Sequence, residues 1–249
     1  MEITSLDLSI LEEEFKYLED GQVQKVYQRG EDLTLEIYVP GDEKKRLIIG
    51  TDKAFISKYK RDNPMKPPGF CMELRKHMGK IDRIEQKGFD RILVIQSGDT
   101  KLICELFGRG NYILTKEDKI IGALREEKWA DREIRVGLEY EFPEPADDPR
   151  GEDYIDMLEE GEIVRRLASD LSLGGTYAEE ICHRLGLEKD MEVGKLDDQQ
   201  KKDLKEEIGK FLDPELSPVL YIEELPKRAA PFPLETYSSV EKEHFDTFS

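Results

Sequence analysis

The side chains of this chain best suited to chemistry are charged, and many of them crowd into one stretch. Arg75, Lys76 and His77 stand side by side within Asn63-Pro-Met-Lys-Pro-Pro-Gly-Phe-Cys-Met-Glu-Leu-Arg-Lys-His-Met-Gly79, and Gly88-Phe-Asp-Arg91 follows shortly after. Guanidinium, ammonium and imidazole groups at this spacing suit the capture of an anion, phosphate above all, rather than the making of bonds. Pro67 and Pro68 disfavour helix before them and permit it directly after. The basic residues therefore ride on a short helix whose N-terminal dipole adds positive potential. The bland alternative is a packed helix with a solvated polar side.

Asp90 and Arg91 are expected to open a strand. Adjacent strand residues face opposite sides, so Asp90 would lie with Ile92 and Val94, and Arg91 with Leu93 and Ile95. Arg91 then offers a forked donor to a phosphate or a base edge; the alternative is a turn-edge ion pair. Asp7 projects within the arc of Ile3, Leu11 and Leu18, where a carboxylate must be paired or hydrogen-bonded. Thr4-x-x-Asp7 also fits a capping box, which would satisfy it locally. Phe55, Tyr59 and Phe89 could stack on bases, although aromatics in strand patterns belong more often to a core.

Other chemistries find no motif. His77, His183 and His244 are far apart and none belongs to an HExxH or CxxC unit, so no metal is expected. Gly108-Arg109-Gly110 is too short for a phosphate loop, and no GxGxxG follows a strand. No nucleophile elbow surrounds any Ser or Cys. Cys71, Cys104 and Cys182 are odd in number, which fits a reducing, cytoplasmic setting.

The elements that must position these residues divide by charge. The net charge is −18 over 249 residues, which taken alone argues against nucleic acid. From Lys44 to Arg91, however, 14 Lys/Arg face 6 Asp/Glu, a net of +8, whereas from Glu139 to Glu215, 10 face 24, a net of −14. Affinity for a polyanion depends on local charge, so separate domains with one basic site are expected. No stretch approaches the roughly 18 apolar residues of a membrane span, and no signal peptide opens the chain.

The pattern predicts a helix over 3–19 and strands over 23–27, 33–39 and 46–49. A short helix with the apolar stripe Phe70, Cys71, Leu74 and Met78 follows, then strands over 80–86, 91–96, 101–107, 111–114 and 119–123. The fold class is α+β, mostly antiparallel. Pro143, Pro145 and Pro149 mark a boundary. Helices are expected over 153–169, 176–185 and 197–212. Leu173-Gly-Gly175 between two of them reads either as a tight turn of the helix–hairpin–helix kind or as a C-cap and loop. Residues 231–237 read as extended.

Several stretches together resemble the NFACT family, comprising RqcH in bacteria and archaea and NEMF in animals and historically called fibronectin-binding protein A-like. They are Ser5-Leu-Asp-Leu8, Gly21–Tyr27, Asn63–Gly79, Gly88–Ile92, Glu105-Leu-Phe-Gly-Arg-Gly-Asn111, Asp131–Arg135, Gly137–Pro143, Leu173–Ile181 and Phe245–Ser249. The details lean towards the archaeal branch. The resemblance implies an N-terminal domain (1–145) similar to that of formamidopyrimidine-type DNA glycosylases. A helix–hairpin–helix region (150–215) and a segment (216–249) leading toward a coiled coil follow. It implies a non-catalytic, cofactor-free module of a ribosome-associated quality-control factor. Its partners would be tRNA, mainly alanyl-tRNA in prokaryotes, and large ribosomal subunits obstructed by peptidyl-tRNA, whose stalled chains receive a C-terminal tail without mRNA. The family's tRNA-dependent residues map onto Asp7, Asp90 and Arg91. Arg75, Lys76, His77 and Arg109 are further expected RNA-phosphate contacts. A DNA glycosylase is the first rival; Met1-Glu2 stands where those enzymes carry a nucleophilic proline and a glutamate, so the fold can be shared without the lyase chemistry. A fibronectin-binding adhesin is the second.

Overall fold

Thr4 starts the first helix: its hydroxyl oxygen accepts from the Asp7 amide, while the Asp7 carboxylate accepts from the Thr4 amide, the two halves of a capping box. The computed structural model describes residues 3–145, 147–151, 154–158, 160–222 and 226–249. Helix α1 (Ser5–Phe15) runs on into a 3-10 turn (Lys16–Leu18), as the pattern over 3–19 predicts. Its apolar residues fall into two stripes. Leu8, Leu11 and Phe15 belong to one core, while Leu6 and Ile10 belong to another. At 3.6 residues per turn, Asp7 sits on the seam between these stripes.

Two antiparallel meanders enclose the first core. One orders β1 (Gln22–Arg29), β2 (Asp32–Tyr38), β3 (Lys45–Gly50) and β4 (Lys53–Ile56); the other orders β5 (Arg83–Gln86), β6 (Ile92–Ser97), β7 (Thr100–Glu105), β8 (Asn111–Lys116) and β9 (Lys119–Ala123). The register pairs Leu33 with Ile49 and Leu35 with Leu47, so alternate residues reach the core. Leu93, Ile95, Leu102, Cys104 and Leu114 join it from the second sheet. On that sheet's other face, Ile92, Val94, Ile103, Ile113 and Ile120 pack with Ile134 and Tyr140. The Tyr112 hydroxyl ties the sheets by donating to the Ile49 carbonyl at 3.1 Å. Helix α2 (Gly69–His77), buried through Phe70, Cys71 and Leu74, packs against β1 and β9.

A short pair, β10 (Glu127–Lys128) and β11 (Glu133–Ile134), leads to four helices: α3 (Tyr154–Met157), α4 (Ile163–Ser169), α5 (Gly175–Leu185) and α6 (Asp198–Leu212). The single helix expected over 153–169 is instead two. Its expected first residue, Asp153, and Glu159 within it lie outside the described residues. Gly161 at φ +144° cannot continue a helix, and the chain restarts at Ile163. Three further strands, β12 (Val219–Ile222), β13 (Pro226–Ala230) and β14 (Glu241–His244), form a small sheet with β12 in the middle. The extended stretch expected over 231–237 ends instead in a 3-10 turn at Glu235–Tyr237. The second core joins these helices and this sheet to Leu6, Ile10 and Phe89. Among the described residues, no helix is long and apolar enough to cross a membrane.

Candidate nucleic-acid interface

Gly88, at φ +60°, turns the chain between β5 and β6. Asp90 and Arg91 lie in that turn, ahead of the first strand residue Ile92. They do not open the strand as expected, because the Asp90 amide donates to the Lys87 carbonyl (3.3 Å) within the turn. Three anchors hold the turn. Phe89 is only 2% exposed, inserted into the second core, and so is not available for base stacking. The Gln86 side-chain amide donates to both the Asp90 and the Ser5 carbonyls, each at 2.9 Å. The Leu106 amide donates to the Arg91 carbonyl at 2.7 Å.

That last bond brings a second basic loop alongside. In an antiparallel meander, alternate connections emerge at the same end, so the β5–β6 and β7–β8 turns are neighbours. The β7–β8 turn carries Arg109, which is exposed. Arg125 braces this turn by donating to the Arg109 carbonyl at 2.8 Å and to the Gly110 carbonyl. Asp90, Arg91 and Arg109 therefore share one end of the five-stranded sheet. A cleft of about 440 Å³ opens beside Arg109, walled by Trp129 and Arg132. Trp129, the only tryptophan, is 44% exposed with the Arg132 guanidinium 5.8 Å from its ring. Arg132 is also paired with Glu105.

The basic helix is placed elsewhere. Helix α2 packs on β9, whereas the Asp90 turn leaves β5, the opposite edge strand of the same sheet. Its charges are also partly spoken for. Arg75 donates from Nε to the Val26 carbonyl at 2.8 Å and lies over the Tyr27 ring. Lys76 pairs with Glu73 at 2.6 Å, and His77 Nε2 is 3.9 Å from the same carboxylate. The bond from Lys76 holds the Glu73 carboxyl below its usual range. Of the other two aromatics, Tyr59 is well exposed and Phe55 is half-buried with Arg61 over its ring.

Asp7 is 4% exposed. One oxygen accepts from the Thr4 amide and hydroxyl, both at 2.9 Å, and the other accepts from the Tyr177 hydroxyl. The Arg228 guanidinium lies 3.6 Å away. Burial first, then the adjacent carboxylate, push the Tyr177 phenol well above its ordinary pKa, so it stays a donor. Among the described residues, no cluster of three or more His, Cys, Asp or Glu side chains is arranged to hold a metal ion.

A family model described as the NFACT N-terminal and middle domains matches residues 4–249. The chain belongs to the NFACT family. Among NFACT relatives, the archaeal Rqc2 homolog aRqcH of Methanocaldococcus jannaschii is 33% identical over 285 aligned positions, covering 99% of this chain and 41% of that protein. The ribosome quality control complex subunit 2 of Saccharomyces cerevisiae is 32% identical over 149 positions, covering 56% of this chain and 14% of that protein. The chain thus spans less than half the length of these relatives. The N-terminal part of the fibronectin/fibrinogen-binding protein from Streptococcus suis superimposes with a TM-score of 0.76 at 23% identity, covering 99% of this chain and 96% of that one, which establishes a shared fold.

Within this NFACT fold, Gln86, Tyr177, Arg228 and Trp129 were not singled out from the sequence. Gln86, Tyr177 and Arg228 act across 80 or more positions of chain, and only the tertiary arrangement pairs them with α1. Trp129 had a usable signal: it is the only tryptophan and stands between Lys128 and Arg132 in a charged stretch.

Proposed function

We propose that this chain is the RNA-binding N-terminal module of a ribosome-associated quality-control factor. It recognises tRNA, alanyl-tRNA among the candidates, and large ribosomal subunits carrying peptidyl-tRNA. It thereby supports mRNA-independent tailing of stalled chains. The observation that carries this reading is that Asp90, Arg91 and Arg109 share one sheet end, in a chain whose relatives bear ribosome quality-control names. Arg91 supplies a forked donor to phosphate, Arg109 a second cation, and the Asp90 carboxylate an acceptor for a ribose 2′-hydroxyl or an exocyclic amine. Arg75, Lys76 and His77 form a separate basic face that supports binding from the β9 edge. Peptide-bond formation belongs to the ribosome, and the module itself performs recognition.

The same reading divides the chain into a glycosylase-like domain (1–145), a helix–hairpin–helix region (150–215) and a terminal segment (216–249) that works in the cytoplasm with the rest of the factor. The loop from Asp170 to Gly174 between α4 and α5, with Gly174 at φ +78°, supports the hairpin assignment. The test is to crosslink the full-length protein to RNA in cells and sequence what is bound. Enrichment of tRNA and large-subunit RNA over a crosslinked control protein is expected. A bound pool indistinguishable from that control would refute the proposal.

A further inference from the structure

The two-sheet half and the helical half of the chain meet at the first turn of α1, and this turn is tied to each. Towards the helical half, Tyr177, the third residue of α5 and entirely buried, donates its hydroxyl to Asp7. The Thr4 methyl packs so closely on Gly174 that a Cβ there would lie 2.6 Å from it. Arg228, 8% exposed, places its guanidinium 5.2 Å from the Tyr177 ring. Its Nε and Nη2 are buried without a hydrogen-bond acceptor, so the Asp7 charge at 3.6 Å is what offsets them. Towards the other half, Gln86 clamps the Ser5 carbonyl to the Asp90 carbonyl, and Phe89 enters the same core as Leu6 and Ile10. The polar groups of one helical turn thus connect the Gly174 hairpin to the Asp90–Arg91 turn.

We infer that Asp7 is a positioning residue, which through Tyr177 and Arg228 fixes the Gly174 hairpin relative to the Asp90–Arg91 turn and does not itself touch RNA. This rests on the RNA-binding reading above. An Asp7 that contacted RNA would have to leave Thr4, Tyr177 and Arg228 and expose a guanidinium stripped of its counter-charge. A positioning Asp7 keeps every one of these contacts. Tyr177 and Arg228 then become determinants of RNA affinity although neither faces solvent.

The decisive variant is Tyr177→Phe in the full-length protein, which keeps the ring and leaves the capping box whole. Asp7→Asn and Arg91→Ala are its companions, and a tRNA transcript is the probe. Two quantities are read: amide hydrogen exchange over residues 174–178, and tRNA affinity as a function of salt. Loss of a buried bond to a charged acceptor should speed exchange over 174–178 by roughly tenfold or more in Tyr177→Phe and Asp7→Asn. Both should also weaken tRNA binding without changing the salt slope, because no phosphate contact is lost. Arg91→Ala should do the reverse, lowering the slope by about one with exchange at 174–178 unchanged. The inference is overturned if Asp7→Asn weakens binding while exchange stays at the wild-type rate, the mark of a direct contact. It is equally overturned if Tyr177→Phe speeds exchange and leaves affinity intact. A wild-type protein that does not bind tRNA defeats the functional reading instead, and the exchange rates alone then report whether Asp7 holds the joint.

Discussion

Replacing Glu180 with alanine should be among the most damaging single changes outside the apolar cores. Its carboxylate is fully buried on α5 and accepts four hydrogen bonds: from the Glu235 amide (2.7 Å), the Thr236 amide (2.9 Å), the Thr236 hydroxyl (2.7 Å) and Arg184 Nε (2.7 Å). Truncation orphans two backbone amides, at about 1–3 kcal/mol each. Arg184 keeps Glu207 and the Pro233 carbonyl as partners, so its share is smaller. The total is about 3–5 kcal/mol, in line with breaking a buried ionic group on one side. Urea unfolding followed by circular dichroism would read this as a lower midpoint with an unchanged slope. The effect also carries a pH signature. Burial alone would raise the Glu180 pKa, but the bonds from Thr236, Glu235 and Arg184 outweigh it and hold the carboxyl below its ordinary 4.5. A carboxyl depressed in the folded state stabilises fully above its unfolded pKa, and loses that contribution as pH falls through the folded value. The gap between wild type and the non-titrating Glu180→Gln should therefore be constant from neutral pH down to about pH 5.5 and shrink below about pH 4. A loss under about 1 kcal/mol in Glu180→Ala, or a gap that widens on acidification, would show that these four bonds do not anchor the carboxylate.

Two further outcomes follow from the backbone and the thiols. Gly110 sits at φ +63° with the position of a Cβ only 2.4 Å from Thr51 Cβ and 2.6 Å from the Thr51 carbonyl oxygen, whereas Gly108, at φ +59°, has open space. Thermal unfolding should show Gly110→Ala losing more than about 3 kcal/mol and Gly108→Ala only about 1–2; equal losses would contradict the packing of that turn on Thr51. Cys71, Cys104 and Cys182 are free and buried, and burial pushes the Cys182 thiol up to about 11. Ellman's reagent at pH 8 should find no fast-reacting thiol in the native protein and three in denaturant.

The sequence made the sheets of the first half legible because their strands are short runs rich in β-branched and apolar residues, bounded by Gly- and Asp-containing turns, as with Leu33, Leu35 and Ile37 on β2. It hid β4, whose four residues follow a two-residue connection and share no clean alternation. It also hid β14, where Glu241-Lys-Glu-His244 is exposed throughout and carries no apolar face, although it pairs with β12. Asp7 was legible as a capping residue, and the capping box is formed. Its second set of partners was not, since Tyr177 and Arg228 approach from 170 and 221 positions away in the sequence. The run Arg75-Lys76-His77 looked like the principal basic surface because sequence shows adjacency and not pairing. Glu73, one turn back, and the Val26 carbonyl engage much of it. Asp90 and Arg91 were visible as a dipeptide, while the sheet end they share with Arg109 is set by topology.

We propose that the sheet end bearing Asp90, Arg91 and Arg109 grips RNA. The most direct test is equilibrium binding of tRNA by the full-length protein across a salt series, for wild type, Arg91→Ala and Asp90→Ala, with folding checked by circular dichroism. A clearly salt-dependent wild-type affinity is expected. Arg91→Ala should weaken it by about 1–3 kcal/mol and reduce the salt slope by about one, and Asp90→Ala should weaken it at an unchanged slope. A wild-type slope near zero, or equal salt-sensitive binding by all three proteins, would contradict it.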